Sequence, residues 1–435
     1  MNWLHRYRVQ LYCRNSIWIL PAIGIVLALI SAALLTRMDR AMRWQLNVSA
    51  DTGRLILSTV AASTFTLVVL VSSAVLLAVQ LASAQLTPRI ITMVYRNTYR
   101  KLALALFVFT FTFSVSVLVR IEDSVPLVSA YISAYGFLLN LALFLLFIDS
   151  VGKTLRPSVA VRVIGLAGRE VIESVYPSFL KEDSVPVNPK VTDESQPRMV
   201  SSLEDGAVLA FDLNGLVALA QQANCLIELV PEVGNFIAAG DPLFRIYRDG
   251  KKLPETKLRD SVAVGEERTL EQDPLFPFRI IVDIASKALS PAINDPTTAV
   301  LAIDQIHHLL REVGKRYLAE GKETDAAGEV RLIYRTPNWE DFVLLGTTEI
   351  RQYGKDSIQV QRRLRAMLLN LIDTLPNRRH SVLQQELILL ETSSKRTFPD
   401  LHDQALADSG DMQGIGGSYN EMYQADQVGL SAHGN

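Results

Sequence analysis

A chain of 435 residues is longer than one typical hydrophobic core supports, so two or three units are expected. Hydrophobic residues make up 49% of it and the mean hydropathy is +0.20, but the excess lies before residue 150 and the remainder has the balance of a soluble protein. A net charge of −2 argues against a nucleic-acid partner, and the two cysteines, Cys13 and Cys225, lie too far apart in the sequence to suggest a disulfide framework or a thiolate zinc site.

A bilayer core requires about 20 mostly apolar residues per helix. Four runs satisfy or approach this, over residues 17–35, 56–81, 102–119 and 125–148, and none contains an acidic or basic side chain. The first follows a basic flank, Arg6, Arg8 and Arg14. It is longer than the apolar stretch of a cleaved signal peptide, so a retained anchor is expected. The short link 120–124 forces the last two runs into an antiparallel hairpin.

Basic residues in the short flanks set the expected orientation. One side of the four helices carries Arg6, Arg8, Arg14, Arg89, Arg96, Arg100, Lys101, Lys153, Arg156 and Arg162. The other carries Arg37, Arg40, Arg43, Arg54 and Arg120. A bacterial inner-membrane protein with both termini cytoplasmic is expected. Within the second run Thr59, Thr66, Ser73 and Gln80 recur every seven residues, with Ser63 and Ser83 on the same side. In the fourth run Ser129, Ser133, Gly136 and Asn140 form a similar stripe. Such stripes serve either as helix-packing seams or as the lining of a pore. Pro88 ends or kinks the second helix, leaving Gln80, Gln85 and Arg89 at its cytoplasmic end.

Beyond the membrane part the reading is an α+β domain. A short helix over 163–175 precedes a polar, proline-containing linker at 181–197. Strand composition marks 207–211 and 226–230, with a helix between them over 213–224. The segment from Val230 to Ile246 has Gly234 and Gly240 six apart, each closing a turn between short strands. It resembles one half of the small β-sandwich of biotinyl and lipoyl carrier domains. The lysine-bearing hairpin of those domains is missing, so a structural β-module is implied and no cofactor.

Residues 278–289 have helical periodicity, with Ile281, Ile284, Ala285 and Ala288 on one apolar face and Ser290-Pro291 at the end. Asp295 suits an N-cap with Pro296 as the first residue of a second helix through Ala299, Ile303, Ile306 and Leu310. A strand at 330–334 and helices at 339–353, 357–375 and 379–391 complete the domain. From 398 to 435 there is no lysine or arginine, and the composition predicts a disordered acidic tail. The division expected is a transmembrane domain at 1–150, a β-rich module with linker at 151–260, a mainly helical domain at 261–397 and the tail.

At Arg268, Gln272-Asp273, Phe276, Arg279, Asp283-Ile284-Ala285 and the run from Ala288 to Pro296 (Ala-Leu-Ser-Pro-Ala-Ile-Asn-Asp-Pro), the chain resembles a family of bacterial predicted membrane proteins, domain of unknown function 2254. The segment from Gln80 to Arg89 is similar to the family's second marker. The resemblance reaches to about residue 395 and implies a multi-helix membrane part with a cytosolic part, without an activity. Pro277 stands where a small turn residue would be expected.

Arg268, Asp273, Arg279, Asp283, Asn294 and Asp295 either cap and lock two helices or form a polar ligand site, with the helix start at Pro296 offering free N–H groups. Three other patterns fail. Gly152-Lys153-Thr154 lacks the earlier glycine of a phosphate loop, having Phe147 there; Asp304 and His308, with His307 adjacent, lack a third metal ligand; and no hydrolase signature occurs. Neither a catalytic residue nor a metal site is expected. The function expected is transport-like, channel-like or scaffolding, in a lipid-embedded homo-oligomer. The alternative is a ligand sensor or enzyme with a polar site at 268–295.

Overall fold

The computed structural model describes residues 2–90, 98–154, 156–180, 196–248, 250, 253–318 and 321–417. The chain divides into two compact units, one over residues 9–159 and one comprising residues 1–8 with 160–435.

In the first unit, among the described residues, four helices are long and apolar enough to cross a membrane. The chain begins with α1 (Trp3–Asn15), and the four apolar helices follow: α2 (Ile19–Ala41), α3 (Ala50–Gln85), α4 (Thr98–Leu118) and α5 (Leu127–Thr154). They overrun the apolar stretches because a helix ends at its caps, not where its side chains turn polar. The Ser49 hydroxyl accepts from Thr52 N at the start of α3, which stops at Gln85, three residues before Pro88. Lys101 Nζ donates to Arg14 O (2.6 Å), so a cation meets the carbonyl end of α1.

The core of this bundle is made by Ala28, Ala32, Leu57, Phe113, Val117, Ile121 and Val125. Small residues let the helices close up: a Cβ at Gly24 would stand 2.8 Å from the Ala105 carbonyl oxygen. Two short strands, β1 (Gln45–Leu46) and β2 (Val125–Pro126), pair antiparallel and tie the two interhelical loops at that end together.

The second unit contains α6 (Pro157–Val175), which begins six residues before the helix expected at 163, with Pro157 in the first turn, where no N–H is needed. Most of the linker expected at 181–197 lies outside the described residues. Among the described residues of this unit the β-structure is two sheets. The strands are β3 (Arg198–Ser201), β4 (Gly206–Phe211), β5 (Cys225–Leu229), β6 (Phe236–Ile237), β7 (Pro242–Arg248), β8 (Val262–Gly265), β9 (Gly321–Thr324) and β10 (Val330–Tyr334). Five form one sheet in the order β3-β7-β5-β10-β9, with β5 and β10 parallel and the other pairs antiparallel; β6-β4-β8 form the other. Val208, Phe211, Ile227, Phe244, Val262 and Leu332 share one core with α7 (Leu213–Gln222), whose N-cap Asp212 accepts from Gly215 N.

This arrangement corrects the division at residue 260. The boundary falls two residues before β8, and β9 and β10 add to the sheet from residues 321–334. Parallel pairing of β5 with β10, about a hundred residues apart, leaves no local trace in sequence.

After α8 (Glu255–Arg259) the helices α9 (Phe276–Ala288), α10 (Pro296–Gly314), α11 (Trp339–Tyr353), α12 (Ile358–Thr374) and α13 (His380–Thr397) pack on one another, α9 and α10 through the predicted apolar faces. Ile281, Ile284, Ala285, Ile303 and Ile306 are all fully buried. Pro277 lies in the first turn of α9 and packs on Gly168 of α6, where a Cβ would come within 2.8 Å of its ring.

The disordered tail is corrected over 398–417. Helix α14 (Leu401–Ala407) is capped by Asp400, and the fully buried Asp411 accepts from Gln413 N, Gly414 N and Gly416 N. Arg362 of α12 donates to the Gly416 carbonyl (3.1 Å). An acidic, glycine-rich composition reads as disorder locally, but buried arginines on α12 supply the partners that order it. Residues 418–435 lie outside the described residues.

Candidate functional site

The six polar residues singled out at 268–295 occupy three separate places. Arg268 and Asp273 form an ion pair (Nε to Oδ2, 2.8 Å), and Asp273 also accepts from Leu275 N and Phe276 N at the start of α9. Burial pushes the Asp273 carboxyl upward, against the pull of Arg268 and these two N–H groups. The pair presses on Gly234, which has φ +92°; a Cβ there would stand 1.9 Å from Arg268 Nη2. Gln272 clamps the end of β4, accepting from Phe211 N (3.0 Å) and donating to Phe211 O (3.2 Å).

Arg279 bonds Asp283 one turn along α9 and holds both carboxylate oxygens of Glu349 on α11 (2.5 and 2.7 Å). The guanidinium holds the Glu349 carboxyl below the usual carboxylate range. Asp295 is the N-cap of α10, accepting from Thr298 N and Thr298 Oγ1. Asn294 adopts φ +47° in an exposed turn closed by Asn294 N to Ser290 O (2.9 Å). Asp304 is paired with Arg363 of α12 (2.7 Å), while His308 is exposed.

Beside Gln272 the same unit has a cleft of about 360 Å³. It is walled by the end of α6, the β4–α7 junction, the turn at Glu232-Val233, Gln272 with Pro274, Glu323 of β9, and the segment from Tyr334 at the end of β10 to Pro337. The Phe211 and Tyr334 rings lie 5.0 Å apart, and Glu323 of β9 accepts from the Tyr334 hydroxyl (3.2 Å). Burial and this neighbouring carboxylate push the Tyr334 phenol up.

Glu232 is the distinctive group of the cleft. It is half-buried, and desolvation followed by the charges of Asp341 and Asp273 raises its carboxyl above the ordinary value, with Arg268 and Arg335 pulling the other way. Arg335 lies exposed in the same wall. Neither the Glu232 carboxylate nor the Arg335 guanidinium makes a hydrogen bond or ion pair within the described residues. Sequence reasoning passed over Glu232 because its Val-Pro-Glu-Val-Gly context reads as a turn, and over Arg335 because it follows a strand end. The one available signal was an acid flanked on both sides by apolar residues.

In the helical unit, Thr59, Thr66, Ser73 and Gln80 all lie exposed on α3 and make no seam within the bundle; Thr59 and Thr66 return their hydroxyl protons to Leu55 O and Ala62 O. The other stripe is inward: Ser129, Ser133 and Asn140 are fully buried, and Gly136 abuts Thr110 of α4. Both amide atoms of Asn140 lack a partner within the described residues. Asp39, 1% exposed, accepts from Val128 N, Ser129 N and Ser129 Oγ, and so caps α5 from α2.

A family profile described as "Predicted membrane protein (DUF2254)" matches residues 14–370. Among curated proteins the chain is similar to "Uncharacterized protein Rv1290c" of Mycobacterium tuberculosis (strain H37Rv) and "Uncharacterized protein Mb1321c" of Mycobacterium bovis. Each is 28% identical over 452 residues, covering 93% of this chain and 83% of the relative. No solved structure matches the chain.

Proposed function

The chain belongs to the predicted membrane protein family of domain of unknown function 2254, and from that premise we propose that it is a membrane-anchored small-molecule receptor whose ligand occupies the Glu232 cleft. The observation that carries this reading is a cleft of about 360 Å³, within the range of small-molecule sites, that combines aromatic walls with a partly desolvated carboxylate that has no partner among the described residues. One residue of the family motif, Gln272, forms part of its wall. The dispersal of Arg279, Asp283, Asn294 and Asp295 into ion pairs, an exposed turn and a cap favours this cleft over a site centred on them.

Placement in a bacterial inner membrane with both termini cytoplasmic belongs to the same proposal. Four crossings return the chain to its starting side, and the bias of lysine and arginine assigns that side to the cytoplasm. Asn2 bonds Asp260 (2.8 Å) and Arg8 pairs with Glu204 (2.8 Å), which agrees with a shared side for the N-terminus and the second unit.

The test is a thermal-shift screen of a small-molecule library on the detergent-solubilised full chain and on its Val233→Trp variant, in which the indole fills the cleft. Compounds that raise Tm of the wild type but not of the variant support the receptor reading. A library that stabilises neither, or both alike, counts against it. A second reading, a channel between copies, is favoured by the outward polar stripe on α3.

A further inference from the structure

Opposite charges that line one small cleft attract each other more strongly where burial lowers the effective dielectric. Glu232 and Arg335 line the same cleft, close enough for the guanidinium to act on the carboxylate, yet they form no pair with each other or with any other described residue. Phe211, Val233 and Tyr334 add apolar and aromatic surface to the same cleft. We propose that the cleft binds a zwitterion of the amino-acid class, its ammonium on Glu232, its carboxylate on Arg335 and its apolar part against Phe211 and Tyr334.

This inference rests on the receptor reading and adds the ligand's chemistry to it. A purely anionic ligand would face Glu232 and Glu323 together, with Asp273 and Asp341 nearby. A purely cationic one would leave Arg335 unused. An ammonium beside Glu232 restores the favoured ionised state of a carboxylate that burial disfavours, so binding releases a proton from the protonated fraction. The charged and titratable groups around it are Asp341 of α11, Asp273 and Arg268 before α9, Glu323 of β9, Tyr334 at the end of β10 and Arg335 after it. Affinity should therefore weaken as pH falls through the raised Glu232 value.

Three probes with the same ring separate the charges: phenylalanine carries both, phenethylamine the cation alone and hydrocinnamate the anion alone. Isothermal titration of each into the full chain in detergent should show phenylalanine binding at least tenfold more tightly than either analogue. Glu232→Gln and Arg335→Gln should each weaken phenylalanine at least tenfold. Glu232→Gln should leave hydrocinnamate unchanged, and Arg335→Gln should leave phenethylamine unchanged. Equal binding of phenylalanine and phenethylamine, indifferent to Arg335→Gln, overturns the zwitterion and leaves a cation receptor. Hydrocinnamate binding tightest overturns it in favour of an anion receptor. If no probe binds in a way that depends on Glu232, Arg335 or Tyr334 (tested as Tyr334→Ala), the zwitterion fails. The receptor reading falls with it only if the Val233→Trp screen is also blank.

Discussion

His307 on α10 shows how much one packing decision can set. Arg363 Nη2 donates to its Nδ1 (3.1 Å), so the ring proton sits on Nε2 and is given to Asn370 Oδ1 (2.9 Å). Burial, with Arg363, Arg311 and His308 contributing positive charge, lowers the imidazole to about 4. The unfolded chain binds this proton near 6.5, whereas the fold takes it up only near 4. Stability from this group is therefore intact above about pH 6.5 and is lost as pH falls toward 4, by up to about 3 kcal/mol. Urea unfolding of the detergent-solubilised chain at pH 7 and pH 5 should show a lower midpoint at pH 5. His307→Gln should remove most of that difference, and an equal drop in the variant would place its origin elsewhere.

At the scale of elements, the helices of the first unit are held by contacts that hydropathy does not reveal. Asp39, at the far end of α2, receives three donors from the first turn of α5. Arg40 and Arg54 donate to the carbonyls of Arg120, Ile121 and Glu122 in the loop before α5. These arginines, counted for orientation, thus also hold a loop. Asp39→Ala removes the only acceptor seen for the Ser129 hydroxyl among the described residues and should lower stability by about 1–2 kcal/mol. Asp39→Asn, which keeps an acceptor oxygen, should cost less. Thermal unfolding in detergent reads both, and an Asp39→Ala variant as stable as wild type would refute the cap's importance.

For the whole molecule, the outward stripe on α3 bears on the channel reading. A monomer would present Ser73 and Gln80 to lipid, whereas a second copy packed there would cover them. With Cys13 replaced by serine and Cys225 left in the buried core, Ser73→Cys reports on that face alone. It should cross-link across copies in membranes, and reconstituted protein should pass small ions at a rate reduced by Gln80→Leu. Cross-linking without flux would leave a scaffold or receptor oligomer, and absence of both would remove the channel reading.

The amino-acid sequence by itself determined the four apolar helices, the periodic faces of α9 and α10 and the Asp295 cap, because each depends on spacing within one turn or one bilayer thickness. Strand β10 and helix α11 were legible to their end residues. Only the tertiary structure decided which polar stripe turns inward and that β10 joins β5. The order seen over 398–417 was likewise a matter of the buried arginines of α12. The tertiary structure also gathered Glu232, Gln272 and Arg335, spread over some hundred residues of sequence, into one cleft. These are long-range pairings, whose energy comes from desolvation and charge at contacts that no local pattern encodes.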